Sequence, residues 1–140
     1  MPTRMKRVNA SDRKVIDEDG LHDLLLGLKI IGVRRFIMER VGGLPGQSAP
    51  RAFTFGYGFG FLLSTARMLH FETELVTPQI WKSAMIKSRR GTATSPKLPA
   101  MNAATKAFGN EHWKRKMDHG RAEAALIALY GAQHIWGVKG

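Results

Sequence analysis

The sequence predicts a single α/β domain, and three observations carry that prediction. Apolar residues at helical spacing alternate with two short runs of strand character, in the order helix, strand, helix, strand and then further helices. A helix that joins two successive strands implies a right-handed parallel crossover. A length of 140 residues with 44% hydrophobic content and mixed charge is a globular composition sized for one core.

The first helix is expected over roughly residues 12 to 29. Asp12, Asp17, Glu18, Asp19 and Asp23 give it a solvated face, Leu21, Leu24, Leu25 and Leu28 give it an apolar one, and Gly20 breaks or bends it. Arg35 to Val41 reads as a short buried strand closed by the turn-rich run from Gly42 to Ser48. From Arg51 to His70 the spacing of Phe55, Phe59, Leu62, Leu63, Ala66 and Leu69 is helical, with Gly56 and Gly60 on one face to permit close backbone approach. Glu72 to Thr77 is the second strand, and Thr77-Pro78 opens a helix with Thr as N-cap and Pro at its first position. Trp81 and Met85 share one side of that helix. Ser88 to Pro99 has loop composition, Ala100 to Phe108 forms a short helix, and a final helix runs from about Asp118 to Tyr130. The domain is expected to span residues 1–131, with 132–140 as a tail. Two strands alone make a small sheet for this many helices, because parallel sheets are normally wide and covered on both faces.

Charge narrows the partner. The chain carries 22 Lys and Arg against 11 Asp and Glu, a formal charge of +11 with a pI near 10.6. A field of that sign draws polyanions across a Debye length of roughly 8 Å at physiological salt, which makes nucleic acid the leading partner. No apolar run approaches the roughly 18 residues of a spanning helix and no signal peptide opens the chain, so a membrane is not expected. Without cysteine there is no disulfide and no thiolate metal site, in keeping with a cytoplasmic protein. Between Lys82 and Lys116 nine basic residues face one acid, Glu111. This stretch is the expected anionic contact, through Lys82, Arg89, Arg90, Lys97, Lys114, Arg115 and Lys116.

Against this basic background, a few acids stand out. Glu39 ends an apolar strand before a glycine-rich turn, where open α/β sheets present ligand-binding groups; the alternative is pairing with Arg35 or Arg40. Asp118 and Glu123 open an otherwise apolar helix but lie about 140° apart around it. Asp118 is either a ligand or a helix N-cap. His119, one turn before Glu123, either binds metal or handles a proton, or simply faces solvent. Three carboxylates converging from a strand end and a helix suit Mg²⁺ or Mn²⁺, and such ions support phosphodiester cleavage. Phe53, Phe55, Tyr57, Phe59 and Phe61 with Arg51 either meet bases of distorted DNA or are core; core is expected for most, with Tyr57 exposed. Gln47 and Ser48 are further candidate DNA contacts.

Several segments together resemble a known family. Met38-Glu39-Arg40-Val41, Leu44-Pro45-Gly46-Gln47, Phe53 to Gly60, Glu74 to Lys82, and Asp118-His119-Gly120-Arg121-Ala122-Glu123-Ala124 occur in the order found in the RuvC-type Holliday junction resolvases of phages and prophages. The resemblance spans about residues 33 to 131. It implies a ribonuclease H-like fold, here an incomplete mixed sheet flanked by helices, with Mg²⁺-dependent cleavage of branched DNA in a bacterial host cell. It also implies that Glu39 matches the family's strand glutamate, and that Asp118 and Glu123 match the acids of its last helix. The spacing of that pair differs from the three residues of bacterial RuvC, so either Asp118 or His119 completes the set. Family members begin with a strand bearing a catalytic Asp, a glycine-rich turn and two further strands, and nothing before Asp12 is expected to supply these. The chain is accordingly expected either to start late or to be a remnant.

Two functions follow as expectations. One is a homodimeric, structure-selective endonuclease using Glu39, Asp118 and Glu123. The other is a catalytically impaired, non-catalytic nucleic-acid binding protein using the same basic face.

Overall fold

The computed structural model describes residues 2–8, 11–43, 45–86 and 98–138. In chain order the elements are β1 (Thr3–Val8), β2 (Ser11–Ile16), α1 (Glu18–Ile30), β3 (Arg35–Glu39), α2 (Ala49–Met68), β4 (Glu72–Val76), α3 (Pro78–Met85), α4 (Leu98–Phe108) and α5 (His119–Tyr130). A single 3₁₀ turn, Lys116–Asp118, leads into α5, and a π-helical turn, Gly131–Ile135, follows it.

The strands pair in two sheets of two. β1 and β2 are antiparallel, with Thr3 opposite Ile16 and Val8 opposite Ser11. β3 and β4 are parallel: the Glu72 amide donates to Arg34 O at one end of the pair, and the Arg40 amide donates to Val76 O at the other. α2 connects them as the expected crossover.

The chain clusters into two compact units. One comprises Met1–Phe36 with Gly42–Thr73, the other Ile37–Val41 with Glu74–Gly140. In the first, Leu21 and Leu25 of α1 pack with Ala66 of α2 and Phe71, flanked by Phe36, Phe61 and Leu62. In the second, Val76, Trp81, Ala100, Ala104, Trp113, Ala122, Leu126 and Ile127 form the core, so α3, α4 and α5 each contribute one apolar stripe. Trp81 is fully buried there. Removing roughly 150–250 Å² of indole from water contributes about 4–6 kcal/mol at ~25 cal/mol per Å².

Several expectations are corrected. The segment expected to be one helix from residue 12 is a strand followed by a helix, because Asp17 caps α1 by accepting from the Gly20 amide at 3.3 Å. A Cβ on Gly20 would lie 2.6 Å from Asp17 Oδ2, so the glycine that suggested a bend instead makes room for the cap. Acids at Glu18 and Asp19 then complement the positive end of the helix dipole. The chain before Asp12 does contain strand: β1 and β2 are held by their own ladder, and residues such as Arg4, Lys6, Arg7, Arg13 and Lys14 hid them from an apolar-pattern reading.

Of the aromatic set at the start of α2, Tyr57 is exposed as expected and Phe61 packs against the first core, but Phe53 and Phe55 are exposed rather than core. Phe53 is 76% exposed, Phe55 50% and Tyr57 49%, because the buried residues of α2 are Gly58, Thr65 and Ala66, all beyond its first two turns. A Cβ added at Gly56 or Gly60 would meet nothing within 4 Å, so no close approach among the described residues uses them. Finally, residues from Gly131 do not open a tail but extend α5, and Gly131 is buried. Among the described residues no helix is long and apolar enough to cross a membrane.

Gly131 gives a direct test of this packing. An added Cβ would lie 2.6 Å from Trp136 Cζ3 and 3.0 Å from Ile37 Cδ1. Gly131→Ala is expected to destabilise the chain by about 1–3 kcal/mol through overpacking, read as a lower urea midpoint at unchanged slope; an unaltered midpoint would show that the turn is looser than described.

Candidate metal and nucleic-acid site

The parallel strands end at Glu39 and Val76, and α3 starts two residues after β4, so the acid at the end of β3 meets the first turns of α3. Trp81 Nε1 donates to Glu39 Oε2 at 2.7 Å. An indole N–H is a donor only, and a half-buried carboxylate is its natural acceptor. Among the described residues Glu39 therefore pairs with neither Arg35 nor Arg40; Arg35 instead meets Glu72 at 3.3 Å.

The next residue on α3 takes the second acid. Lys82 Nζ lies 3.7 Å from Glu123 Oε1, with the two side chains 46% and 33% exposed. At that separation and exposure the pair contributes about 0–1 kcal/mol, so it is readily exchanged for another partner. The same ammonium sits 5.3 Å from the centre of the Trp81 ring, within cation–π reach. Glu39 and Glu123, more than eighty residues apart in sequence, are thus joined through the Trp81-Lys82 pair.

Asp118 is placed differently. It is buried at the end of the 3₁₀ turn, where Oδ2 accepts from the Arg115 amide at 3.1 Å and Oδ1 from Arg115 Nη2 at 3.3 Å. It occupies the N-cap position of α5 without capping it; the side chain turns back to close the preceding turn. The Arg115 backbone bond, then the Arg115 side chain, hold its pKa below the ordinary aspartate value, with a smaller pull from Arg121. His119 is half-buried at the first position of α5, and its Nδ1 is buried with no hydrogen-bond partner among the described residues. Among those residues no three His, Asp or Glu side chains are gathered around one ion position.

The predicted DNA contacts fall in both units. Lys82, Lys114 and Arg115 are exposed in the unit that holds the acids, and Arg115 spends part of its guanidinium on Asp118. Arg51 and Tyr57 are exposed and Gln47 half-buried in the other unit, with the Tyr57 hydroxyl donating to Glu18. Arg89, Arg90 and Lys97 lie outside the described residues, as does the side chain of Lys116. The residue that sequence reasoning missed is Trp81, read only as sharing one side of its helix with Met85. Its signal was available: a donor-only indole at the start of a helix that follows a strand, in a chain whose neighbouring strand ends in a glutamate.

The depressed pKa of Asp118 sets the sign of a pH effect. Its stabilising contribution is fully present above the unfolded aspartate value of ~3.9 and is lost as pH falls through the lower folded value. The stability gap between the chain and Asp118→Asn, from urea unfolding, is expected to hold between about pH 7 and about pH 5 and to narrow below about pH 4. A gap that widens on acidification contradicts this.

No family model matches the sequence, and neither does any curated protein. Solved structures do. The structure of Thermus thermophilus RuvC in complex with Holliday junction substrate superposes with a TM-score of 0.62 at 15% identity, covering 90% of this chain and 77% of that one. A second T. thermophilus RuvC structure gives 0.59 at 16% identity, covering 96% and 86%. The chain therefore has a RuvC-like, ribonuclease H-like α/β fold.

Proposed function

We propose that the chain is a divalent-metal-dependent endonuclease that nicks branched DNA, four-way junctions above all, as a homodimer. The observation that carries this reading is the linkage of a strand-end glutamate, Glu39, to a last-helix glutamate, Glu123, through consecutive residues of α3. The RuvC-like fold supports it, as does the net charge of +11.

The residues fit Mg²⁺, with Mn²⁺ as its substitute. Such an ion keeps several waters and uses one or two carboxylates plus substrate phosphate, a donor set that Glu39 and Glu123 provide. The Lys82 ammonium beside Glu123 is a stand-in cation, and His119 Nδ1 is a buried nitrogen without a partner among the described residues. Either Asp118 or His119 adds a further ligand. When bound, the ion supplies an activated water and stabilises the departing oxygen. The chain's own residues do the rest: Glu39 and Glu123 hold the ion, and Lys82, freed from Glu123, meets a backbone phosphate. Lys114 and Arg115, with Arg89, Arg90, Lys97 and Lys116, neutralise phosphates further along the strand. Gln47, Arg51 and Tyr57 are assigned to the same DNA. Two symmetric nicks require two such sites, and the exposed Phe53 and Phe55 offer apolar surface to a second copy.

A second reading, a DNA-binding protein without cleavage, is favoured by one observation: Asp118 is already taken up by Arg115, and no three ligands are gathered among the described residues. One experiment separates the two. With Mg²⁺ and a synthetic four-way junction, the chain is expected to nick symmetrically, and Glu39→Gln to slow nicking by more than about 100-fold, beyond the loss typical of an outer-shell partner. Tight junction binding with no nicking would leave the binding reading standing and remove the enzyme.

A further inference from the structure

We infer that Trp81 is a positioning residue for the metal site: its indole N–H fixes the Glu39 carboxylate so that one oxygen stays on the protein while the other is left for the ion. This rests on the reading of Glu39 as a ligand and goes beyond it, because it assigns a role to a residue that touches neither metal nor DNA.

Three features converge on Trp81. Its Nε1 reaches Glu39 Oε2 at 2.7 Å, a short bond of the charge-assisted kind. Its ring cannot turn, being fully buried among Val76, Ala100, Ala104, Trp113, Ala122, Leu126 and Ile127. Its direction is set by α3, whose start is fixed by Thr77 and Pro78 immediately after β4. A glutamate side chain has three rotatable bonds, and at a strand end it samples several directions unless something holds it. Here the holder is the largest fully buried side chain among the described residues. Committing a lone pair of one carboxylate oxygen to an indole favours the other oxygen, Oε1, as the ligand. That is the mode suited to a small ion with strict octahedral geometry rather than to a larger ion that accepts bidentate carboxylates. Ligand-orienting hydrogen bonds of this kind typically govern metal affinity by about 10–100-fold.

The test uses the full chain without DNA. Calorimetry is expected to show Mg²⁺ and Mn²⁺ binding weakened about tenfold or more in Trp81→Phe, which keeps a large ring and loses the donor. In the double variant with Glu39→Gln, the Trp81 change is expected to add little. A second readout does not depend on that variant folding. With ¹⁵N-labelled tryptophan, three indole N–H signals arise from Trp81, Trp113 and Trp136. Glu39→Gln identifies that of Trp81, and Trp113, held by Thr105 Oγ1 at 3.0 Å, serves as reference. Mg²⁺ titration is expected to move the Trp81 signal, leave Trp113 in place, and lose its effect in Glu39→Gln. Mg²⁺ binding that leaves the Trp81 signal unmoved, or a folded Trp81→Phe chain with unchanged affinity, overturns the inference and leaves the nuclease reading intact. Absence of any Mg²⁺ binding to the unaltered chain removes both.

Discussion

The geometry around Glu39 is built on one hydrogen bond, from the Trp81 indole to the Glu39 carboxylate. It joins two requirements that usually conflict. A core wants apolar, immobile groups; a metal site wants charged groups in a defined direction. Trp81 serves both because an indole is a large hydrophobe with a single polar atom at its edge. The ring closes the core of α3, α4 and α5, and the nitrogen reaches the strand end. Loosening that core would loosen the acid with it.

Charge gives the second constraint. Acids are scarce in this chain, and each of the three singled out is matched to a donor of different strength. Glu39 has a neutral indole, Glu123 a distant and exposed ammonium, and Asp118 both a backbone amide and a guanidinium. Neither of the first two is committed to a strong ion pair: Glu39 has a neutral donor, and the Glu123 pair is long and exposed. Asp118 is held most firmly, and its depressed pKa records this. On these terms Asp118 is the acid most committed to partners within the chain, while the buried Nδ1 of the next residue, His119, has none among the described residues. The exposed Arg115 orders the entry to α5 through Asp118 while most of its side chain stays in solvent.

Much of this was legible in the sequence, and the failures have physical causes. β3, β4 and the helices between and after them follow from apolar spacing and from Thr77-Pro78, because those segments pack apolar residues against the cores, although β3, expected to be buried, is only partly so. Glu39 stood out for the same reason, a charge ending an apolar run. The hairpin of β1 and β2 was not legible: its segments are rich in Lys and Arg, and backbone pairing between partners carries no apolar signature. The start of α2 misled in the opposite sense, since a dense run of aromatics reads as core whether or not anything covers it. The Trp81–Glu39 bond joins residues forty-two apart and depends on the register of β3 against β4, which the strand-helix-strand order does not encode.

The central claim is that Glu39 and Glu123 share one divalent ion, with Trp81 holding the first of them. Anomalous diffraction from crystals of the full chain soaked in Mn²⁺ tests it most directly. The account predicts one strong peak at about 2.1 Å from an oxygen of each glutamate, with the Trp81 N–H still on the other Glu39 oxygen and Lys82 withdrawn from Glu123. A peak that involves neither glutamate, or no peak at saturating Mn²⁺, contradicts it.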